Sequence, residues 1–190
     1  GSLNSARIGH FALNTELYLC ERDHGLYPPK RNDIFGYTDV CNNQLLIMWK
    51  RILNVKWYAH FIYLLIKYSP NKKKLIARPN EIYGDRDVSG LLDKYPAHLS
   101  FTDSEEEIAN KYLKKMGITT NDSFVGLAIR DSNYLLNTKP FNNWSYHDFR
   151  NCKIDNYSLA VKEIINKNNY VIRMGTHVKE TMNFNNPKYI

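Results

Sequence analysis

Two arginines stand near the ends of two apolar runs in the C-terminal part of the chain. The run SFVGLAI leads into Arg130 and Asp131, and the run YVI leads into Arg173 and Gly175. Guanidinium groups form paired hydrogen bonds with phosphate oxygens. If both runs are parallel strands, their ligand site lies beyond the carboxyl ends. The pattern predicts binding of a phosphate or diphosphate. A surface ion pair of Arg130 with a nearby aspartate is the alternative, and the sequence leaves it open.

A polar loop rich in aromatic residues, YHDFRN at 146–151, lies between these two runs. Tyr146 offers a ring for stacking a base or sugar, and Arg150 and Asn151 offer hydrogen-bond donors. His147 carries an imidazole that titrates near neutral pH, so it is a candidate general base. The loop therefore predicts further ligand contacts beside Arg130.

A second candidate region lies near the N-terminus, where Gly9 and His10 precede an apolar segment. The pattern predicts a turn at Gly9 and His10, followed by a helix whose start is capped by Asn14 or Thr15. A helix N-terminus can hold an anion or a hydroxyl, and His10 could act there as a base. A plain turn with an exposed imidazole remains the alternative.

The sequence shows no recognised metal or cofactor motif. The six histidines are scattered, and the three cysteines, Cys20, Cys41 and Cys152, form no CxxC pair. This spacing predicts reduced thiols rather than a disulfide framework or a structural zinc site. Neither a GxGxxG nor a GxxxxGK[ST] motif is present, so classical dinucleotide and P-loop sites are not indicated. We expect neither a metal nor a cofactor.

The composition is that of a folded basic protein: 190 residues, 43% hydrophobic, with a formal net charge of +7. A basic surface favours anionic partners. However, no basic helix or aromatic RNA-binding pattern accompanies the charge, so nucleic-acid binding is disfavoured. The longest apolar stretch is too short to span a bilayer. We expect a cytoplasmic protein, with contact at the inner face of the membrane left open.

The order of elements after Gly117 alternates between helix and strand, which is typical of a parallel α/β sheet. We therefore predict a helix-rich α/β domain over residues 1–118 and the start of a Rossmann-like domain over 119–190. The predicted helices lie at 41–53, 57–68, 104–116 and 158–168, and the predicted strands at 33–38, 124–129 and 170–174. The charged segment 69–87 is predicted to be irregular.

The predicted helix at 57–68 is apolar on nearly all sides. Such a helix is buried in its own domain or covered by a partner. It therefore supports a second functional hypothesis, a non-catalytic module that docks through this helix.

The segments RIGHFALNTELYL, CNNQLLIMWKR, FVGLAIRDSNYL, FRNCKIDNYSLAVKEII and YVIRMG together resemble a family of bacterial glycosyltransferases of the GT-B type, from surface-polysaccharide and sugar-modification clusters. The resemblance extends from Arg7 to Ile190. It implies two Rossmann-like domains, a nucleotide-sugar donor, a carbohydrate acceptor and no metal.

Carried over to this sequence, the resemblance implies an acceptor side and a donor side. Gly9, His10 and Asn14 would line the acceptor side. The donor side would comprise Arg130, Tyr146, Arg150, Asn151 and Arg173. The family's donor domain also continues past the position of Ile190, so the resemblance implies that the C-terminal domain is incomplete here.

Overall fold

The structure is a computed structural model in which residues 1–28, 32–76 and 86–190 are described. The chain is a mixed α/β protein with two compact units, Gly1–Thr102 and Asp103–Ile190. Part of the segment 69–87 lies outside the described residues. Its described part includes a short helix, Lys72–Leu75, where the sequence predicted irregular structure.

The first unit contains a parallel pair of short strands with helices before, between and after them. Its elements are α1 (Ile8–Asp23), β1 (Ile34–Phe35), α2 (Asn43–Ile52), β2 (Asn54–Val55), α3 (Ala59–Lys67) and α4 (Lys72–Leu75). Ile34 lies opposite Asn54 in the β1–β2 pair. Ser2 bridges to Gly36 in parallel, so the chain start adds a third extended segment beside β1.

The core of the first unit forms where α1 and α2 pack beside this sheet. Phe11 and Trp49 are fully buried, and the indole Nε1 of Trp49 donates to the carbonyl of Phe11 at 3.1 Å. Asn42 caps α2, because its side-chain oxygen accepts the backbone N–H of Leu45 at 2.9 Å. This cap fixes where the apolar face of α2 begins.

The start of α1 differs from the sequence prediction. The helix begins at Ile8, so Gly9 and His10 lie in its first turn and Asn14 lies inside it. The Thr15 hydroxyl donates to the carbonyl of Phe11, four residues earlier, and caps nothing. The predicted turn and cap are therefore wrong. Starting the helix at Ile8 places Phe11 in the core, and this burial outweighs the weak helix preference of Gly9.

The apolar helix α3 is largely exposed rather than buried within its unit. Ala59 is its buried residue, whereas Phe61 and Leu65 are 61% and 77% exposed. Among all helices in the described part of the chain, none has both the length and the apolar character needed to cross a bilayer.

The second unit is built on one parallel strand pair. Its elements are α5 (Asp103–Lys115), β3 (Phe124–Ala128), α6 (Asn133–Thr138), two 3₁₀ turns (Ser145–Arg150 and Ile154–Tyr157), α7 (Ser158–Asn166) and β4 (Tyr170–Met174). β3 and β4 pair in register from Phe124 opposite Tyr170 to Ala128 opposite Met174. The last residues extend the sheet beyond β4, because Ile190 donates to the carbonyl of Val171 at 2.8 Å.

Local signals set the limits of α5 as the sequence predicted. Asp103 and Glu106 lie in its first turn and Lys114 and Lys115 in its last, which matches the helix dipole. Gly117 follows with a φ of 82°, a conformation that favours glycine at a helix end. The hydroxyl of Tyr170 donates to the carbonyl of Gly117, which ties this helix end to β4.

Two boundaries in this unit differ from the sequence expectations. The chain divides into its compact units between Thr102 and Asp103, so α5 belongs with the second unit, whereas the sequence predicted a boundary after residue 118. Asp155 is a residue type typical of a helix N-cap, and the sequence predicts that role for it, but it lies in a 3₁₀ turn and α7 begins at Ser158. Burial of Ile154 within that turn accounts for the shift, since the core holds the chain there.

Candidate functional site

The carboxyl ends of β3 and β4 form one edge of the sheet in the second unit. The two strands run parallel and finish together, with Ala128 opposite Met174. Arg130 and Asp131 follow β3, Arg173 is the fourth residue of β4, and Gly175 follows β4. We call this region the β3–β4 edge. It carries the two arginines that the sequence analysis singled out.

The guanidinium of Arg173 is largely buried and bonded to the backbone. Its side chain is 9% exposed. Nη1 donates to the carbonyls of Leu127 at 3.3 Å and Met174 at 2.6 Å, and Nη2 donates to the carbonyl of Ile129 at 3.2 Å. Arg173 therefore ties the end of β3 to the end of β4 and keeps a positive charge at this edge.

Asp131 fastens the loop after β4 to the loop after β3. Its carboxylate accepts the backbone N–H groups of Asn133 and Lys179, both at 2.9 Å. One carboxylate oxygen also lies 4.0 Å from Nη2 of Arg173. The side-chain amide of Asn133 donates to the carbonyl of Val178 at 3.1 Å, which is a second bond between the two loops. These bonds hold the two loops together at the β3–β4 edge.

Arg130 follows β3 and is bonded through its backbone to the residue after the polar aromatic loop. Its carbonyl accepts the backbone N–H of Cys152 at 2.9 Å, so the end of the loop, with Asn151, is held beside β3. The side chain of Arg130 is half-buried. Arg130, Arg173 and Gly175 thus lie along one edge, and Asn151 directly precedes the residue that bonds to Arg130; their roles toward a ligand stay predictions.

Gly175 adopts a φ of 147°, and a Cβ there would lie 2.8 Å from a methyl carbon of Val178. The missing side chain therefore allows the tight turn after β4. A glycine just past a strand can let a ligand approach the backbone or can simply end the strand, and here Val178 already fills the space beside it.

The aromatic loop presents a small ring cluster. His147 stacks on Trp144 with ring centres 6.1 Å apart and an interplanar angle of 16°, and Tyr146 lies 4.0 Å from His147. The indole of Trp144 donates to the carbonyl of Lys139 and anchors the cluster. Tyr146 and Arg150 are exposed. The rings are thus ordered by one another, with polar groups left at the surface.

The candidate acceptor-side residues belong to the first unit. Gly9 and His10 lie in the first turn of α1, and Asn14 follows one turn later. A Cβ at Gly9 would meet no atom within 4 Å, so the fold does not require a glycine there. Their role toward an acceptor stays a prediction.

Another polar group in the first unit was not found from the sequence. Oε1 of Glu16 lies 2.8 Å from Nδ1 of His98, and Nε2 of His98 lies 2.9 Å from a carboxylate oxygen of Asp23. The ligand atoms of Glu16, Cys20 and His98 lie within 4.8 Å of one another, and Cys20 is fully buried. We call these four residues the α1–His98 cluster.

Electrostatics in the α1–His98 cluster shift three pKa values. Burial opposes the charge on His98, but hydrogen bonds to Asp23 and Glu16 outweigh it and raise the imidazole pKa above its ordinary value. The hydrogen bond to His98 lowers the pKa of Asp23. Burial, then the charges of nearby carboxylates led by Glu16, raises the pKa of the Cys20 thiol.

One part of this cluster was visible in the sequence and one was not. Glu16, Cys20 and Asp23 recur at helical spacing, which places them on one side of α1. His98 is 82 residues from Glu16, and no local pattern brings the two together.

Comparisons with protein-family models, with curated proteins and with solved structures found no match to this chain.

Proposed function

We propose that this chain is a glycosyltransferase-like protein of the GT-B type, which transfers a sugar from a nucleotide-sugar donor to a carbohydrate acceptor. The observation that supports the proposal most is the β3–β4 edge, where Arg130 and Arg173 lie at the carboxyl ends of two parallel strands. Open parallel sheets bind ligands at that position. The proposal includes a cytoplasmic location and leaves contact with the inner face of the membrane open.

In this proposal the two arginines have different tasks. Arg130 is half-buried at the edge and would contact the donor diphosphate, stabilising the charge that develops as the sugar leaves. Arg173 donates to the backbone of the β3 end and would act as a positioning residue for Arg130. Tyr146, Arg150 and Asn151 would contact the nucleotide or the sugar.

Proton transfer from the acceptor hydroxyl requires a base, for which two histidines are candidates. His10 lies in the first turn of α1, and His147 stacks on Trp144. An imidazole is suited to this step, because the ordinary pKa of an unperturbed imidazole lies near neutral pH. In the transfer, the acceptor hydroxyl gives its proton to the imidazole and its oxygen bonds to the anomeric carbon of the sugar. The bond from that carbon to the phosphate oxygen breaks, and the nucleoside diphosphate leaves with the electron pair.

Calorimetric titration of the chain with a nucleoside diphosphate tests the proposal. We expect Arg130→Ala to weaken binding about 10-fold to 100-fold, the loss expected of a charge-assisted contact. Lys162→Ala is the matched control, since Lys162 is an exposed cation on α7. Equal affinity of the Arg130→Ala variant and the unsubstituted chain would contradict the assignment.

The exposure of α3 favours a second candidate function, an assembly module. Phe61 and Leu65 on α3 are exposed, as are Trp57 just before the helix and Tyr68 just after it, with exposed fractions of 61–83%. Exposed apolar side chains grouped in this way are typical of an interaction surface. In this case a second copy of the chain would cover α3.

Sedimentation distinguishes the two functions. The module predicts self-association that Leu65→Ser abolishes and that Leu159→Ser, at an exposed leucine of α7, leaves intact. A monomeric chain that binds a nucleoside diphosphate would exclude the module and support the transferase.

A further inference from the structure

The α1–His98 cluster has the composition of a metal site. Glu16, Cys20 and His98 offer one oxygen, one sulfur and one nitrogen ligand, all within 4.8 Å of one another. Zinc accepts this combination of ligands, whereas magnesium and calcium prefer oxygen alone. The donor set therefore indicates Zn²⁺ or a chemically similar ion.

The distances need only small changes to surround an ion. Tetrahedral zinc bonds of about 2.0 to 2.3 Å hold ligand atoms about 3.3 to 3.8 Å apart. The present 2.8 Å pair of Glu16 and His98 would open, and Sγ of Cys20 would approach from within 4.8 Å. Glu16 and Cys20 are one turn apart on α1, so side-chain rotation can supply both movements.

The second ring nitrogen of His98 supports the same interpretation. Nε2 lies 2.9 Å from the carboxylate of Asp23. Histidines that bind metals with one nitrogen commonly donate the other N–H to a carboxylate, which fixes the ring orientation. In the α1–His98 cluster, Nδ1 faces Glu16 while Nε2 bonds to Asp23, so the imidazole already has that arrangement.

Cys20 distinguishes a metal site from a simple ion pair. An imidazole between two carboxylates needs no thiol nearby, yet the Cys20 side chain is fully buried beside them. A neutral thiol is a poor partner for a carboxylate, whereas a thiolate is a strong zinc ligand. An ion would turn this neighbour into a bonded member of the cluster.

We infer that Glu16, Cys20 and His98 bind a Zn²⁺-type cation, with Asp23 as the residue that orients His98. Binding displaces the Cys20 thiol proton to solvent, together with one from His98 if the ring is protonated, and two-electron donation from sulfur, nitrogen and oxygen completes the bonds. The fourth position is left for solvent. This inference goes beyond the transferase proposal and revises the expectation that the chain binds no metal.

The ion would attach the segment around His98 to α1. That segment is already held in the first unit by the bonds of His98 to Glu16 and Asp23, by Leu99, which packs on the core, and by Arg51, which donates to the carbonyl of Ser100 at 3.1 Å. Zinc would add metal–ligand bonds to these contacts. Its presence should therefore raise the thermal stability of the chain, independently of nucleotide binding.

The test uses the full chain, stripped with a chelator and titrated with Co²⁺ and then Zn²⁺. A Cys41→Ser, Cys152→Ser variant retains Cys20 as its single cysteine. We expect this variant to show a thiolate-to-cobalt charge-transfer band and to bind Zn²⁺ at about 1 µM or tighter. Absence of the band would overturn the inference, whether or not a Cys20→Ser variant folds.

Further variants separate ligands from the positioning residue. His98→Gln should weaken zinc binding more than 100-fold, roughly the upper loss seen for outer-shell partners. Asp23→Asn should weaken it about 10-fold to 100-fold while the charge-transfer band remains. His24→Gln, at the exposed end of α1, is the control and should change neither the zinc affinity nor the charge-transfer band. Zinc affinity that Cys20→Ser and His98→Gln leave unchanged would also contradict the site.

Discussion

The two compact units have similar local topology, but their helices and strands bury different numbers of side chains. Each has a parallel strand pair extended by a terminal segment, residues 1–3 in one and 188–190 in the other. In the first unit, α1 and α2 bury several large side chains, among them Phe11 and Trp49. In the second, α5 buries none, and four of the five residues of β3 are exposed.

The polar residues of the two units are therefore held in place by different interactions. The first unit places its polar cluster on a helix held by a dense core, so its residues are supported by packing. The second unit places its arginines at a sheet edge and relies on hydrogen bonds to backbone carbonyls. Packing should therefore dominate the response of the first unit to substitution, and single polar contacts should weigh more in the second.

The largest effect is expected at Trp49. Trp49→Ala removes a fully buried indole and its bond to the carbonyl of Phe11, so the free energy of unfolding should fall by about 3 to 5 kcal/mol. Trp57→Ala is the matched control, because Trp57 is 68% exposed and should change stability by about 0.5 kcal/mol. Denaturant unfolding followed by circular dichroism measures both, and equal losses would contradict the packing argument.

A glycine pair sharpens the comparison of the two sheets. A Cβ at Gly36 would lie 2.0 Å from the backbone nitrogen of His60, whereas at Gly126 the nearest atom is 3.6 Å away. Gly36→Ala should therefore cost about 3 kcal/mol through forced backbone shifts. Gly126→Ala should be neutral or stabilise by about 0.5 kcal/mol. Thermal unfolding of both variants decides the matter, and tolerance of alanine at Gly36 would count against close packing of β1 on α3.

A valine pair compares burial within the second unit. Val171 on β4 is fully buried, and its register partner Val125 on β3 is 40% exposed. Val171→Ala should lower the free energy of unfolding by about 2 kcal/mol, from two lost methyl groups and a residual cavity. Val125→Ala should lower the free energy of unfolding by less than half that amount, because Val125 is already partly exposed. Similar losses in urea titrations would show that β3 is covered as well as β4.

Local signals made parts of the fold predictable. The ends of α5 follow from acids in its first turn, lysines in its last and Gly117 after it, all within one short segment. The start of α1 was missed because the burial of Phe11, a tertiary contact, overrides a weak local preference at Gly9. The apolar pattern of α3 indicated that its side chains would be buried, but periodicity does not show whether the same unit or a partner buries them.

The candidate sites divide in the same way. The sequence placed Arg130 and Arg173 at strand ends, because strand ends are local features. It could not show that Arg173 donates to the carbonyls of Leu127 and Ile129, since that depends on the register of β3 against β4. The α1–His98 cluster needed the fold itself to bring His98 to α1.

The smallest effect is expected in the turn that leads into β3, where the carboxylate of Asp122 bonds to Thr119. Asp122 accepts the backbone N–H and the hydroxyl of Thr119, and these bonds lower its pKa below the ordinary value. A lowered folded-state pKa stabilises the fold above the unfolded pKa, and the gain is lost as pH falls through the folded pKa. Asp122→Asn should therefore destabilise the chain slightly at neutral pH, and the difference should vanish in acid.

Substitutions at Thr119 test whether these bonds cause the effect. Thr119→Val removes the hydroxyl that donates to Asp122 and should reduce the acid dependence of unfolding, whereas Thr119→Ser keeps the donor and should preserve it. Melting temperatures measured from neutral to acidic pH compare the three variants. A Thr119→Val variant whose pH profile matches that of Thr119→Ser would assign the effect to the backbone bond alone.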